Sequence, residues 1–411
     1  MKCKALLILL VLLGSTGISF GQFKLSGEFR PRTELSHGYK ALAAPDQDAS
    51  LFTSQRTRLN FNYQNEWVKT MLVLQDVRTW GNQKQLVANE DKATSIHQAW
   101  AEIMLTKDLF LKAGRMELVY DDHRIFGSVG WAQQARSHDL FLLKYEGNVK
   151  LHFGIAHNEN NNIKDGFYGG PNAYKAMQFL WYNNTGEKMG MSLLFLNNGV
   201  PYIEDNKEKI RYSQTIGGRF TYKEGNFNLG TNLYYQGGKH KSGKDVSALN
   251  LGIDASLKAG ENWTFIGGFE HLSGTDYNES EDMKSFTPFY GTNHKFNGFM
   301  DYFYVGNHVG SVGLNDIYLK AKYKKNKFSM GADLHFFSAA ADVSSTADKG
   351  LGTELDLYCA YKHNKAVTFS AGLSNMFGTD ALQELKGGDK GESNYWGYFM
   401  ITVKPSFLNL K

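Results

Sequence analysis

Period-two alternation of apolar and polar residues constrains this chain most, because a strand sends successive side chains to opposite faces and a helix does not. Phe227, Leu229, Thr231, Leu233 and Tyr235 interleave with Asn228, Gly230, Asn232, Tyr234 and Gln236. Leu249, Leu251, Ile253, Ala255 and Leu257 interleave in the same way with Asn250, Gly252, Asp254, Ser256 and Lys258. The pattern returns over 316–323, 328–336, 354–362 and 367–374. A soluble sandwich also alternates, so the connections have to decide.

Those connections fall into two classes. Short breaks occur at 65–66, 107–108, 147–148, 185–187, 224–226, 260–262, 324–327 and 363–365. Longer polar stretches separate them at 35–52, 81–95, 118–135, 158–173, 198–211, 237–246, 273–314, 339–353 and 376–393. Eight short turns alternating with nine long loops require eighteen strands, with both termini on the short-turn side. That is the plan of a closed transmembrane antiparallel β-barrel, short turns at the periplasm and long loops outside.

Composition agrees where it bears on this plan. The 43 Gly, 22 Tyr and 28 Phe against 6 Pro suit strands and turns. Pro45, Pro171, Pro201 and Pro288 fall in the long loops, while Pro31 falls inside the first strand and predicts a bulge or local break. Aromatic residues near strand ends, among them Trp67, Trp80, Tyr182, Tyr222, Trp263, Tyr323 and Tyr361, are expected to form interfacial girdles.

The chain begins with Lys2 and Lys4, an apolar run over 5–13 and small residues up to Gly21. This reads as a secretory signal peptide over 1–21, with the barrel over 22–411; the run is too short for a membrane anchor, which needs ~20 apolar residues. Without the two leader lysines the formal net charge falls from +4 to +2, which speaks against a nucleic-acid partner. Cys359 is then the one cysteine remaining, so neither an internal disulfide nor a cysteine metal site is expected.

Alternation also gives each strand a lumenal face. Lys24, Glu28, Arg30, Arg32 and Glu34 of the first strand point inward, as do Arg56, Arg58, Asn60 and Asn62 of the second. With Arg78, Arg115, Arg136 and Arg219 also expected inward, the lumen becomes rich in guanidinium groups, which bind carboxylate or phosphate and attract anions. The same arginines could instead form a structural ladder with Glu28, Glu34, Asp76, Glu102, Glu117 and Asp139. Both readings stand, since an arginine with one acidic partner still has donors to spare.

The runs Gly114-Arg115-Met116-Glu117-Leu118 and Tyr120-Asp121-Asp122-His123-Arg124-Ile125-Phe126-Gly127 are followed by Trp131, Arg136 and Asp139. Together with residues 75–81, 98–102 and 294–301, they resemble the alginate-export family of outer-membrane porins across residues 22–404. The resemblance implies a monomeric eighteen-stranded barrel whose arginine-lined constriction passes an anionic uronate polysaccharide. Carried over by position, Arg30, Arg32, Arg56, Arg58, Arg78, Arg115, Arg124 and Arg136 are the candidates for that constriction, with Asp76, Glu102 and Asp139 beside them. The loops over 118–135 and 273–314, carrying His123, Arg124, His294, Lys295 and Asp301, are expected to fold into the pore.

Catalytic readings find little support. Asp121-Asp122-His123 lacks the spacing of a zinc helix or a calcium loop. Ser329 and His335 lie six residues apart on one strand, ~20 Å by strand rise, too far for a dyad. Gly217-Gly218 and Gly267-Gly268 sit in strands and not at strand-to-helix turns. The chain is therefore expected to be a porin without enzymatic activity or cofactor, with outer-membrane lipid and an anionic saccharide or other anionic solute as partners. The competing class is a closed barrel acting as a surface adhesin or structural protein through its long loops.

Overall fold

A computed structural model describes residues 21–85, 94–158 and 174–410. The expected leader lies outside the described residues apart from Gly21, as does Pro171. The strands are β1 Gln22–His37, β2 Ser50–Gln64, β3 Val68–Thr79, β4 Thr94–Met104, β5 Leu109–Met116, β6 His138–Glu146 and β7 Lys150–His157. They continue with β8 Ala176–Thr185, β9 Met189–Glu204, β10 Lys207–Glu224, β11 Phe227–Lys239, β12 Asp245–Ala259 and β13 Trp263–Leu272. A two-residue β14 (Asp282–Met283) sits within the longest loop. Then come β15 Leu314–Lys325, β16 Phe328–Ser338, β17 Gly350–Lys362, β18 Val367–Gly378, β19 Asn394–Val403 and β20 Ser406–Leu410.

Each wall strand pairs antiparallel with its neighbours in sequence, β13 with β15, and β19 closes on β1 through pairs from Phe29↔Val403 to His37↔Tyr395. The wall therefore has eighteen strands, as the turn count requires. β20 continues β19 beyond Lys404-Pro405 and pairs with Phe23–Ser26 at the short-turn end of β1.

Outward positions carry the apolar half of each alternation. Phe141 is 61% exposed, Leu319 58% and Leu373 55%. A water-soluble surface does not bear so continuous an apolar belt, whereas acyl chains require one. Trp67, Trp263 and Tyr361 stand exposed beside the short turns, where an aromatic girdle belongs. A closed barrel with this belt is an outer-membrane protein.

One local expectation needs correction, and a second is met on one side of its strand only. Residues 198–211 are not a loop: β9 and β10 pair without a break up to Glu204↔Lys207, and Pro201 lies in the ladder opposite Ile210. Asp205 and Asn206 take φ of 52° and 57°, forming the two-residue turn whose twist suits a hairpin. Pro31 causes no bulge, since the register of β1 against β2 runs unbroken through Pro31↔Gln55. Only the ladder toward β19 skips Arg30 and Pro31, consistent with the missing N–H.

The wall is uneven in height. β5 and β7 have eight residues each and β6 nine, whereas β9 has sixteen and β10 eighteen. All share the short-turn plane, so the difference appears at the long-loop end.

The core lies inside the barrel. The loop over 117–137 (the first plug loop) and that over 273–313 (the second) fold inward and meet at a Phe126↔Tyr290 bridge. Their rings stack at 5.6 Å, and Phe126 also packs on Phe179 of β8 at 5.0 Å. Buried aromatic side chains of this size each contribute roughly 2–3 kcal/mol. The loops are thus a folded plug, as their motifs led us to expect.

Candidate functional site: the lumen and its plug

A loop buried in a lumen carries carbonyls that no ladder satisfies, so it needs donors from the wall. The arginines of β1 and β2 supply them. Arg30 donates to the carbonyls of Gly130 (2.8 Å), Trp131 (3.0 Å) and Ala132 (3.3 Å) and to Gln133 Oε1 (2.9 Å). Arg56 reaches the Gly130, Ala132 and Gln133 carbonyls while its Nη2 holds Glu28 at 2.5 Å. Arg32 donates to Glu34 and the Trp131 carbonyl, and its guanidinium lies 4.3 Å from the centre of the Trp131 ring. These three side chains are buried and face protein, so they clamp the plug instead of lining an open constriction.

Arg58 is held by Gln75 at 2.7 Å and stands 3.9 Å from Glu117, with Nη2 unpartnered. His97 adds to this anchor. Opposite the shift between Val73 and Leu74 it is an extra residue in β4, and its Nε2 lies 2.7 Å from Glu117 at the root of the first plug loop. Arg124 is fully buried, donating to Glu270 (2.7 Å) and Asn297 (3.1 Å) with Phe296 against its face. Arg136 donates to the Gly291 carbonyl at 3.2 Å, tying one plug loop to the other.

Four expected lumenal residues face the other way. Arg78 pairs with Gln55 and Asp76 with Thr57, residues on the outward face with Pro31 and Phe29. Arg78 binds Asp76 through two parallel bonds of 2.6 and 2.7 Å. Arg115 pairs with Ala99 on one side and Asp139 on the other, and its Nη1 meets Asp139 at 2.6 Å on the exposed outer surface. Charge suggested the lumen for all four, but register decides the side. Near the long-loop rim an outward ion pair reaches solvent and headgroups and need not be buried.

Glu102 does face inward, between Lys69 (3.6 Å) and Lys144 (3.0 Å). It introduces the feature that sequence reasoning missed, the short-turn half of the lumen. The acids on its strand faces that meet cations are Glu28 with Arg56 and Lys404, Glu146 with Lys144 and Lys150, Asp254 with Arg219, and Asp333 with Lys320. Lysines remain in surplus. Lys24, Lys112, Lys223, Lys258, Lys322, Lys324 and Lys362 have no carboxylate in ion-pair contact among the described residues. Their inward direction follows from register, since Lys258 shares a row with Thr264, Lys322, Gly331 and Tyr358. The signal was legible: Lys258, Lys320 and Lys322 are polar members of the strongest alternations in the chain.

Beneath the plug, toward the short turns, lies a cavity of about 400 Å³. Arg219, Lys295, Lys320 and Lys322 face it with Asp122, Asp254, Glu270 and Asp333, and Phe296, Phe299, Tyr318 and Tyr358 give it ring surfaces. Asp122 of the first plug loop accepts from Arg219 (2.9 Å) and Asn232 (2.6 Å), and Lys295 of the second donates to the Asp122 carbonyl at 2.7 Å. The roof of the cavity is therefore the underside of the plug.

No protein-family model matches the chain, and no curated protein matches its sequence. Solved structures do match in fold. A BenF-like porin from Pseudomonas fluorescens Pf-5 aligns with a TM-score of 0.62 at 12% identity, covering 94% of this chain and 99% of its own. OccK9 (OpdG) of Pseudomonas aeruginosa gives 0.63 at 12% identity, covering 94% of this chain and 98% of that one. OpdK of the same organism, solved with vanillate, gives 0.59 at 11% identity, covering 93% and 99%. At such identities the likeness is one of fold, and it is the fold of outer-membrane porins.

Proposed function

We propose that the barrel is a channel for the passive passage of anionic solutes, with its selectivity set by the surplus lysines of the short-turn half. The observation carrying this reading is that the acids held by cations in that half leave lysines on six of the wall strands without a carboxylate partner among the described residues. Unpaired ammonium groups around a low-dielectric conduit focus a field that draws anions and repels cations.

Acidic oligo- or polysaccharides of the uronate kind are the finer proposal. The motif resemblance to alginate-export porins supports it, and so do the rings of Phe296, Phe299, Tyr318 and Tyr358 beside Lys320 and Lys322, a surface for sugar rings that bear carboxylates. The OpdK structure with vanillate offers a porin of like fold with a carboxylate solute. On this reading the protein is a monomeric conduit and no catalyst, delivered by a cleaved leader. The adhesin alternative loses ground because the longest loop is spent on the interior.

Reversal potential across a salt gradient in a planar bilayer tests the proposal. Anion preference is expected, and Lys258→Glu with Lys322→Glu should move the reversal potential toward cations. Cation preference in the parent channel, or an unmoved potential in the double variant, rejects it.

A further inference from the structure

The plug is fastened to β17 by a pair of carboxyls whose bonding is incomplete as carboxylates. Glu354 and Asp356 lie two residues apart on the inward face, and both are 0% exposed. Glu354 Oε1 accepts the Met300 backbone N–H of the second plug loop at 2.8 Å. Asp356 Oδ1 accepts from the Ser374 hydroxyl of β18. Glu354 Oε2 and Asp356 Oδ2 have no donor, and successive inward positions of one strand set the two carboxyls side by side.

Two acceptors side by side away from water, each with an oxygen lacking a donor, need a proton or cation between them. The surroundings offer no cation to spare. On β16, His335 stands opposite Glu354 but is engaged by Asp316, and Asp333 stands opposite Asp356 and is held by Lys320 and Tyr358. Met376 and Ser374 of β18 face the pair without charge. From the plug, Gly298 presses its backbone on the Glu354 carboxyl, and Asp301 brings a further negative charge, bound by His294 and Tyr39.

We infer that Glu354 and Asp356 share one proton, carried by Glu354 and donated to Asp356, and that this proton is a latch holding the second plug loop closed. Each carboxyl has one donor from outside the pair, but the plug presses on Glu354 through Gly298 and brings the Asp301 charge to it, which favours Glu354 as the site of the proton. When the O–H bond of Glu354 breaks and the proton passes to water in the lumen, two carboxylates are left side by side next to Asp301. Ionising both in place is costly, so the loop over 298–301 lifts and water enters. The closed state thus binds one proton more than the open state. Rising pH therefore favours opening.

The opening rests on the channel reading; the shared proton does not, and two measurements separate them. Infrared spectroscopy of the full-length protein in lipid vesicles should show a protonated-carboxyl C=O band near neutral pH that is missing in Glu354→Gln and is lost on alkaline titration. Single-channel conductance of the parent should rise severalfold over the same titration. Glu354→Gln, which keeps an acceptor for Met300 and a donor for Asp356, should stay closed and unresponsive, and Asp356→Asn should blunt the response. A band that persists in Glu354→Gln, or its absence from the parent with tight calcium binding in its place, overturns the shared proton. A band that behaves as expected with conductance indifferent to pH overturns the latch. A band in a barrel that never conducts keeps the shared proton, and the channel reading falls.

Discussion

The two halves of this lumen use basic residues for opposite ends. In the long-loop half Arg30, Arg32 and Arg56 spend their donors on the carbonyls of 130–133 and on Glu28 and Glu34, and they are buried. In the short-turn half the lysines outnumber their acids and stand toward water. A guanidinium offers five donors in a rigid fork and is weakly hydrated, which suits gripping backbone. An ammonium on a flexible stem stays hydrated, which suits attracting an ion without trapping it. Counting positive charge along a pore is therefore a poor guide to selectivity until each charge has been assigned its partner.

Three experiments test this contrast. The largest effect is expected from Arg30→Ala with Arg56→Ala. Carbonyls 130–133 lose their donors, each uncompensated one costing about 1–3 kcal/mol, so the plug should loosen. Conductance should rise severalfold with frequent fluctuation, while the reversal potential moves little; a large shift toward cations with unchanged conductance would return selectivity to the arginines. A smaller effect follows from salt. Between 0.1 M and 1 M the screening length falls from about 10 Å to about 3 Å, so anion preference should weaken markedly while the buried clamp holds. Plug opening under high salt, seen as a conductance step beyond that of the bulk electrolyte, would contradict the clamp. The smallest effect belongs to Arg115→Ala with Asp139→Ala on the outer face. An exposed pair is worth about 1 kcal/mol or less, so thermal stability should shift slightly and reversal potential not at all.

Much of this was legible beforehand, for identifiable reasons. Eighteen strands follow from turns of two to four residues, which leave a chain no choice but to reverse. The inward plug was readable in the motif-rich stretch 118–135, because polar and aromatic residues at that density need a partner. The 198–211 hairpin was not readable: Asn197, Asn198, Gly199 and Pro201 look like a loop, and only pairing with β10 makes them a strand. The sides of Arg78 and Arg115 were lost for a related reason. β3 puts Met71, Val73 and Val77 inward and Asp76 and Arg78 outward, so its alternation is inverted at the rim and only cross-strand register settles it. The role of Arg30 and Arg56 was hidden more deeply, since no one-dimensional pattern shows that their donors meet a carbonyl 100 positions down the chain from Arg30 and 74 from Arg56.

The uneven wall has a consequence for the membrane itself. Around β5, β6 and β7 the barrel offers eight- and nine-residue strands, close to the shortest that can cross a hydrocarbon layer, while β9 and β10 stand far above it. The added height of β9 and β10 ends in Glu204, Lys207, Glu208 and Lys209, which belong to headgroups and water. The low stretch at β5–β7 instead asks the bilayer beside it to thin, at a cost of fractions of a kcal/mol for each ångström of mismatch. Shorter or more disordered chains should gather along that stretch of the annulus.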